Sequence, residues 1–415
     1  MFYRLLLALK KPGNTLWITP TLGALLAIIF AFAAKSVNFF IDENVLPEVQ
    51  QDTLDGLLGI IASSMLAVST FSLSIMVSAF ASASGGTTPR ATELVMGDDN
   101  TRMAIASFIS AFIYAIIAKT VLGMGFYGQN GRFVLFVSTL LVLLYLIITL
   151  IRWVATISHL GGMKNTLEKI HCAAENALQH YRLNPSMGAN WVGNSSEQGS
   201  IVYASEVGYL THIDMLSLQR YAEKQDCYIA IKVRPGELIS PNMPLMSVEN
   251  APKDKKQLDQ LAQYFVLAGS RHYEEDPEWG FIVLAESAQK ALPPVANDPG
   301  TAIAVMNIMM RILITRPEQK QSSVNYDRLA IKPLDASDWI KSGFAPIARD
   351  GVELLEVNLL LQKNLAIIWQ NAPEQQVREA ALQLAISSLQ RAEQALTFSE
   401  DFQLLQQKHN KLFDK

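Results

Sequence analysis

Four polar residues in the C-terminal half have the types needed for a binding pocket: Arg271, Asp276, Asn297 and Asp298. A guanidinium beside carboxylates and an amide could hold a charged ligand or steer a proton. Their local context also predicts a plainer use. Asn297-Asp298-Pro299 reads as a helix start, with an Asx cap and proline in the first position. Asp276-Pro277 likewise opens a helix, and Glu278 falls in a first turn where the helix dipole favours an acid. A second set, Ser63, Thr70, Ser74 and Ser78, puts hydroxyls on a segment with no charged residue between Asp55 and Arg90. Hydroxyls in that setting could replace part of an ion's water shell without imposing a charge. The chain has no Gly-rich phosphate loop, no nucleophile elbow and no metal-binding helix motif. The six histidines are scattered, and Cys172 and Cys227 make neither a metal spacing nor a disulfide framework. The expectation is therefore no metal, no cofactor and no enzymatic activity.

The hydroxyls belong to a longer pattern. Gly59, Ser63, Ala67, Thr70, Ser74, Ser78, Ala81 and Gly85 step by four, four and three, and then repeat. An eleven-residue repeat keeps one face of an α-helix nearly in phase. Every residue on that face is small, which lets membrane helices approach closely. The pattern predicts either a packing seam or the lining of a pore. Phe71 and Phe80 lie off the stripe and read as lipid or bundle contacts.

The elements that must position these residues follow from composition. Half of the 415 residues are hydrophobic, with the apolar excess placed before residue 160, and the net charge of −4 gives no general basic footprint for nucleic acid. Apolar runs predict four spanning helices at about 14–34, 56–84, 103–124 and 133–152. The first is of full spanning length and is read as an uncleaved helix, not a signal peptide. Lys119 near the end of the third reads as a snorkelling side chain.

Arg4, Lys10 and Lys11 precede span one, Arg90 and Arg102 lie between spans two and three, and Arg152, Lys164 and Lys169 follow span four. The loop after span one carries five acids against Lys35. The positive-inside rule then places both termini in the cytoplasm. Pro89-Arg90 closes the second helix on that side and could serve as a coupling loop to the C-terminal part.

The expected organisation is a transmembrane domain (1–160), a connecting helix and linker (161–194), a small β domain (195–252) and a helical cytoplasmic domain (253–415). Strand-like alternation frames a short helix at MLSLQRYAEKQD and a turn at Pro235-Gly236. KVRPGELISPNMPLMSV resembles the strand-turn-strand pattern of biotinyl- and lipoyl-like barrels, without their modified lysine. From about Gln257 onward the chain reads as helical, and the polar tail QLLQQKHNKLFDK reads as frayed.

Two further stretches carry a family resemblance: FSLSIMVSAFASASGGTTPRA at the end of the second helix, and RHYEEDPEWG followed by ALPPVANDPGTA. With four spans and the Pro-Gly barrel, they resemble the bacterial predicted-membrane-protein family catalogued as domain of unknown function 2254. The resemblance implies location and architecture and no activity. The over-long helix, its small-residue face and a cytoplasmic barrel also resemble the parts of small-conductance mechanosensitive channels.

The fold class expected is a membrane α-helical protein with four transmembrane helices, plus an α+β cytoplasmic domain with a small β-barrel-like unit. The function expected is a homo-oligomeric channel or transport-like pore in a bacterial inner membrane, passing an ion or small solute. The alternative is a non-conducting sensor or scaffold. The partners expected are membrane lipid and further copies of the chain, with no nucleic acid.

Overall fold

The computed structural model describes residues 46–86, 88–96, 99–157, 162–190, 199–251, 260–317 and 325–413, with positions 21, 23, 25, 29 and 258. The chain divides into two units, Met1–Thr166 and Leu167–Lys415.

In the first unit, α1 (Gln51–Gly86), α2 (Pro89–Met96), α3 (Asp99–Gly123) and α4 (Gln129–Ile157) follow one another. Three stretches are long and apolar enough to cross a membrane: Gln51–Ser82, Thr101–Gly123 and Gln129–Ile157. The expected span at 14–34 lies outside the described residues, apart from Thr21, Gly23, Leu25 and Ile29, which are helical. At 1.5 Å per residue α1 is about 54 Å long, well beyond a hydrocarbon core of about 30 Å. In crossing a bilayer a helix of this length would extend past the interior or tilt strongly.

Leu54, Leu58, Ile61, Ala62 and Met65 of α1 are buried against α3, whose facing positions include Ala111, Ala115 and Ala118. Those alanines let the two backbones come close over several turns. Between α3 and α4, the Tyr114 hydroxyl lies 3.1 Å from Ser138 Oγ and 3.2 Å from Thr139 Oγ1. Without water as competitor, such bonds hold helices together. Trp153 of α4 is buried, edge-on to Phe108 and Phe71.

The second unit begins with α5 (Met163–Leu183), whose first turn belongs to the first unit. Then come β1 (Ser200–Tyr203), β2 (Gly208–Ile213), α6 (Met215–Gln225), β3 (Tyr228–Ile231), β4 (Leu238–Ile239), β5 (Pro244–Glu249) and β6 (Phe265–Ala268). Asp214 caps α6 by accepting the Ser217 amide.

The strands form two open sheets, ordered β1-β5-β3-β7 and β4-β2-β6, with β7 at Leu329–Ile331. This corrects the expected barrel-like unit. The turn at Arg234–Glu237 carries the chain from one sheet to the other, and no ladder among the described residues joins them. Val202, Leu210, Ile213, Ile229, Ile239 and Phe265 bring both sheets onto one core. Alternation specifies which face of a strand is buried but says nothing about closure.

The strand unit also reaches beyond 195–252. The stretch from Gln257, expected to be helical, supplies a short 3-10 turn (Gln260–Tyr264) and then β6, antiparallel to β2. β7 joins β3 in parallel from residues 329–331.

The remainder is helical: α7 (Trp279–Ala291), α8 (Pro299–Ile314), α9 (Asp338–Asp350), α10 (Leu355–Asn371), α11 (Gln375–Ala395) and α12 (Ser399–Phe413). The last corrects the frayed tail. Leu405 is fully buried, His409 Nδ1 lies 2.8 Å from Gln362 Oε1, and the Phe413 ring meets Trp369. A few well-placed anchors hold a helix whose other positions are polar.

Candidate functional site

On α1 the small-residue positions and the buried positions point in nearly opposite directions. At 100° per residue, Leu54, Leu58, Ile61, Met65, Ser72 and Met76 centre on one side. Ser63, Ala67, Thr70, Ser74, Ser78, Ala81 and Gly85 centre on the other, all exposed, while Gly59 is half-buried. Leu66, Leu73 and Val77 flank the stripe on one side, and Ile60 and Phe71 on the other. The helix thus presents a groove of small side chains between two apolar ridges.

Several hydroxyls on this face turn back to their own helix. Ser63 donates to Gly59 O at 2.9 Å, Thr70 to Ala67 O at 2.9 Å and Ser74 to Thr70 O at 3.0 Å. A hydroxyl has one proton and two lone pairs. With the proton committed, what remains outward is acceptor capacity, which suits a cation or a neighbouring donor.

Gly59 lies beneath the Lys119 side chain. A Cβ there would lie 3.1 Å from Lys119 Nζ. Lys119 crosses that position to Asp55, 2.9 Å away, so its charge is paired at the start of α1. Pro89-Arg90 does not simply close α1. The long helix stops at Gly86, Thr88 accepts the Ala91 amide, and Pro89 takes the first position of α2. Arg90 is exposed in that first turn.

In the second unit, Arg271 and Asp276 meet. Arg271 Nε and Nη2 donate to the two Asp276 oxygens at 2.6 and 2.9 Å, and Nη2 also donates to Glu278 at 2.8 Å. The guanidinium lies over Trp279, 5.2 Å from the ring centroid. Asp276 is 3% exposed. It accepts the backbone amides of Glu278 and Trp279 as well, which starts α7.

Burial pushes the Asp276 carboxyl up, against the pull of Arg271 and the Trp279 amide. Burial alone would lower the Arg271 guanidinium, but Asp276 and Glu278 raise it. The four donors around Asp276 fit an ionised carboxylate, which can only accept. The Pro235-Gly236 turn rests on this carboxylate. Gly236 has φ +97°, and a Cβ on it would lie 2.5 Å from Asp276 Oδ2.

Asn297 and Asp298 are engaged elsewhere. Both are exposed. Asp298 caps α8, accepting the Thr301 amide at 3.0 Å and its hydroxyl at 2.6 Å. These bonds hold its carboxyl below the usual carboxylate range. Asn297 sits at φ +45°, a left-handed position that asparagine tolerates.

Beside the turn lies a cleft of about 280 Å³ that the residue pattern did not reveal. Its walls come from α5, the β2–α6 junction, the Arg234-Pro235 turn and the segment around Glu275. Arg234 is 7% exposed. Its Nε donates to Lys332 O at 2.6 Å and Nη2 to Pro185 O at 2.8 Å, with the group 5.8 Å from the Tyr181 ring centroid. It forms no ion pair with a carboxylate among the described residues. Burial lowers its proton affinity.

Glu275 pairs with His212 Nδ1 through one oxygen. Its other oxygen, Oε2, is buried without a hydrogen-bond partner among the described residues. Only Arg-Pro-Gly in a strand connection hinted at this site, and the residues that complete it come from four distant segments. Among the described residues, no group of three or more His, Cys, Asp and Glu side chains is placed to hold a metal ion.

Comparison of the chain with curated proteins and with solved structures gives no match. A family model described as a predicted membrane protein matches residues 13–366, most of the chain. Three apolar helices of spanning length and the strands of the second unit stand within that match, and the chain belongs to this membrane-protein family, domain of unknown function 2254.

Proposed function

We propose that this is a polytopic inner-membrane protein whose copies assemble through the small-residue face of α1 around a narrow pore. The observation that carries the reading is that face itself. It runs from Ser63 to Gly85, lies opposite the side of α1 buried in its own chain, and excludes large residues. A helix surface meant for acyl chains has no need to exclude leucine and phenylalanine over six turns, whereas a contact between copies does.

A span over 14–34 completes an even count. The Lys/Arg bias then puts both termini and the second unit in the cytoplasm, where that unit regulates the assembly. The outward lone pairs of Ser63, Thr70 and Ser74 favour a cation or a neutral solute over an anion. The reading assigns no catalytic role and no nucleic-acid partner.

The test is conduction by the purified full-length protein in liposomes, under voltage and under membrane tension. Wild type passes current and Ser74→Leu, which fills the groove, blocks it. Leu73→Ile, on the flanking ridge, conducts like wild type. Absence of current from wild type under both stimuli removes the pore. The cleft beside Arg234 favours a second reading, a non-conducting sensor whose cytoplasmic unit binds a partner or ligand.

A further inference from the structure

The cleft in the second unit holds two unmatched polar atoms. Arg234 spends Nε and Nη2 on the carbonyls of Lys332 and Pro185, and Nη1 donates to nothing among the described residues. The guanidinium is hydrogen-bonded to carbonyls alone; Glu237 acts on it only through space, and no carboxylate among the described residues pairs with it directly, which is costly for a residue 7% exposed. Glu275 is the reverse case. Oε1 meets His212 and Oε2 is a buried acceptor with no donor among the described residues.

The two anchors are neighbours, because Gly236, two residues after Arg234, packs directly on the carboxylate of Asp276, the residue after Glu275. Between and around them the walls are mostly apolar, with Met187, Met215, Leu216, Pro277 and Leu334. The volume of about 280 Å³ is at the small end of ligand pockets.

We propose that this cleft binds a small organic carboxylate that also carries a hydrogen-bond donor, of the amino-acid or hydroxy-acid class. The ligand carboxylate meets the free edge of Arg234. Its amine or hydroxyl donates to Glu275 Oε2, which the side chain must turn from its buried position into the cleft, and a short aliphatic or aromatic body lies against the methionines and Leu216. Each unmatched atom is answered by the group it lacks. The inference concerns the second unit alone and does not depend on a pore at α1.

The test uses the full-length protein in detergent and follows its thermal transition at millimolar L-leucine, leucate, isocaproate and isoamylamine. L-leucine and leucate raise the melting temperature saturably. Isocaproate, which lacks the donor, does so less, and isoamylamine, which lacks the carboxylate, does not. Leu216→Trp, at the exposed wall of the cleft, removes the shift without touching either anchor. Glu275→Gln narrows the gap between L-leucine and isocaproate. Arg234→Lys reports on the anchor only if it folds, and the other two variants carry the test if it does not. No shift with any carboxylate overturns the proposal, as does an equal shift with isoamylamine or an undiminished shift in Leu216→Trp.

Discussion

Gly236→Ala is the substitution whose cost can be worked most directly from the structure. The glycine has φ +97°, where an L-residue is strained by about 1–3 kcal/mol. Its new Cβ would also lie 2.5, 2.7 and 2.9 Å from Oδ2, Cγ and Oδ1 of Asp276. No real contact is that short, so either the turn or the carboxylate must move. Moving the carboxylate weakens charge-assisted bonds to Arg271, each worth about 1.5–3 kcal/mol. Together the cost is about 3–5 kcal/mol, or about 10 °C in the melting of a unit this size.

The assay is thermal unfolding of the detergent-solubilised protein followed by tryptophan fluorescence, since Trp279 and Trp339 are buried in this unit. Gly269→Ala is the control, because nothing lies within 4 Å of the Cβ it would add. Gly236→Asn tolerates a left-handed backbone better but keeps the clash, so it separates the two causes. A Gly236→Ala protein melting with wild type would refute the reasoning. Full rescue by asparagine would leave backbone strain as its only valid part.

Arg182→Ala should destabilise the second unit by about 3–5 kcal/mol, because it strands Glu374 and uncaps the carbonyls of Ile312, Leu313 and Thr315; denaturant melts should show the loss. Asp298→Ala should cost about 1 kcal/mol at neutral pH. The folded carboxyl is held below its unfolded value, so this contribution is present above pH ~3.9 and lost as pH falls through the folded value, and acid titration of both proteins should see their stabilities converge. Asp55→Asn should change stability by less than about 1 kcal/mol, since both partners in the Lys119 pair are well exposed; a double-mutant cycle measures the coupling.

The long α1 was legible because its apolar run and its eleven-residue repeat are both local properties of one helix. The α8 start was legible for the same reason: Asn297-Asp298-Pro299 caps itself within a few residues. The Gly236 turn was visible as Pro-Gly, but the carboxylate that forbids a side chain there comes from Asp276, forty positions on. β6 and β7 were hidden because each is only three or four residues long and owes its shape to a distant partner. α12 was hidden because Leu405 and Phe413 are few among polar neighbours. The cleft was hidden most thoroughly. Arg234, His212 and Glu275 share no motif, and only the folding of two sheets around one core brings them together.

The central claim is that α1 meets further copies of itself through its small-residue face. Single cysteines at positions 74 and 73, in a chain with Cys172 and Cys227 replaced by serine, put it to the test on mild oxidation in native membranes. Ser74→Cys lies in the groove and Leu73→Cys on the ridge about 100° away. The account predicts a covalent dimer from position 74 and much less from position 73. Equal cross-linking at both positions, or none at 74 while the protein remains folded, would contradict it.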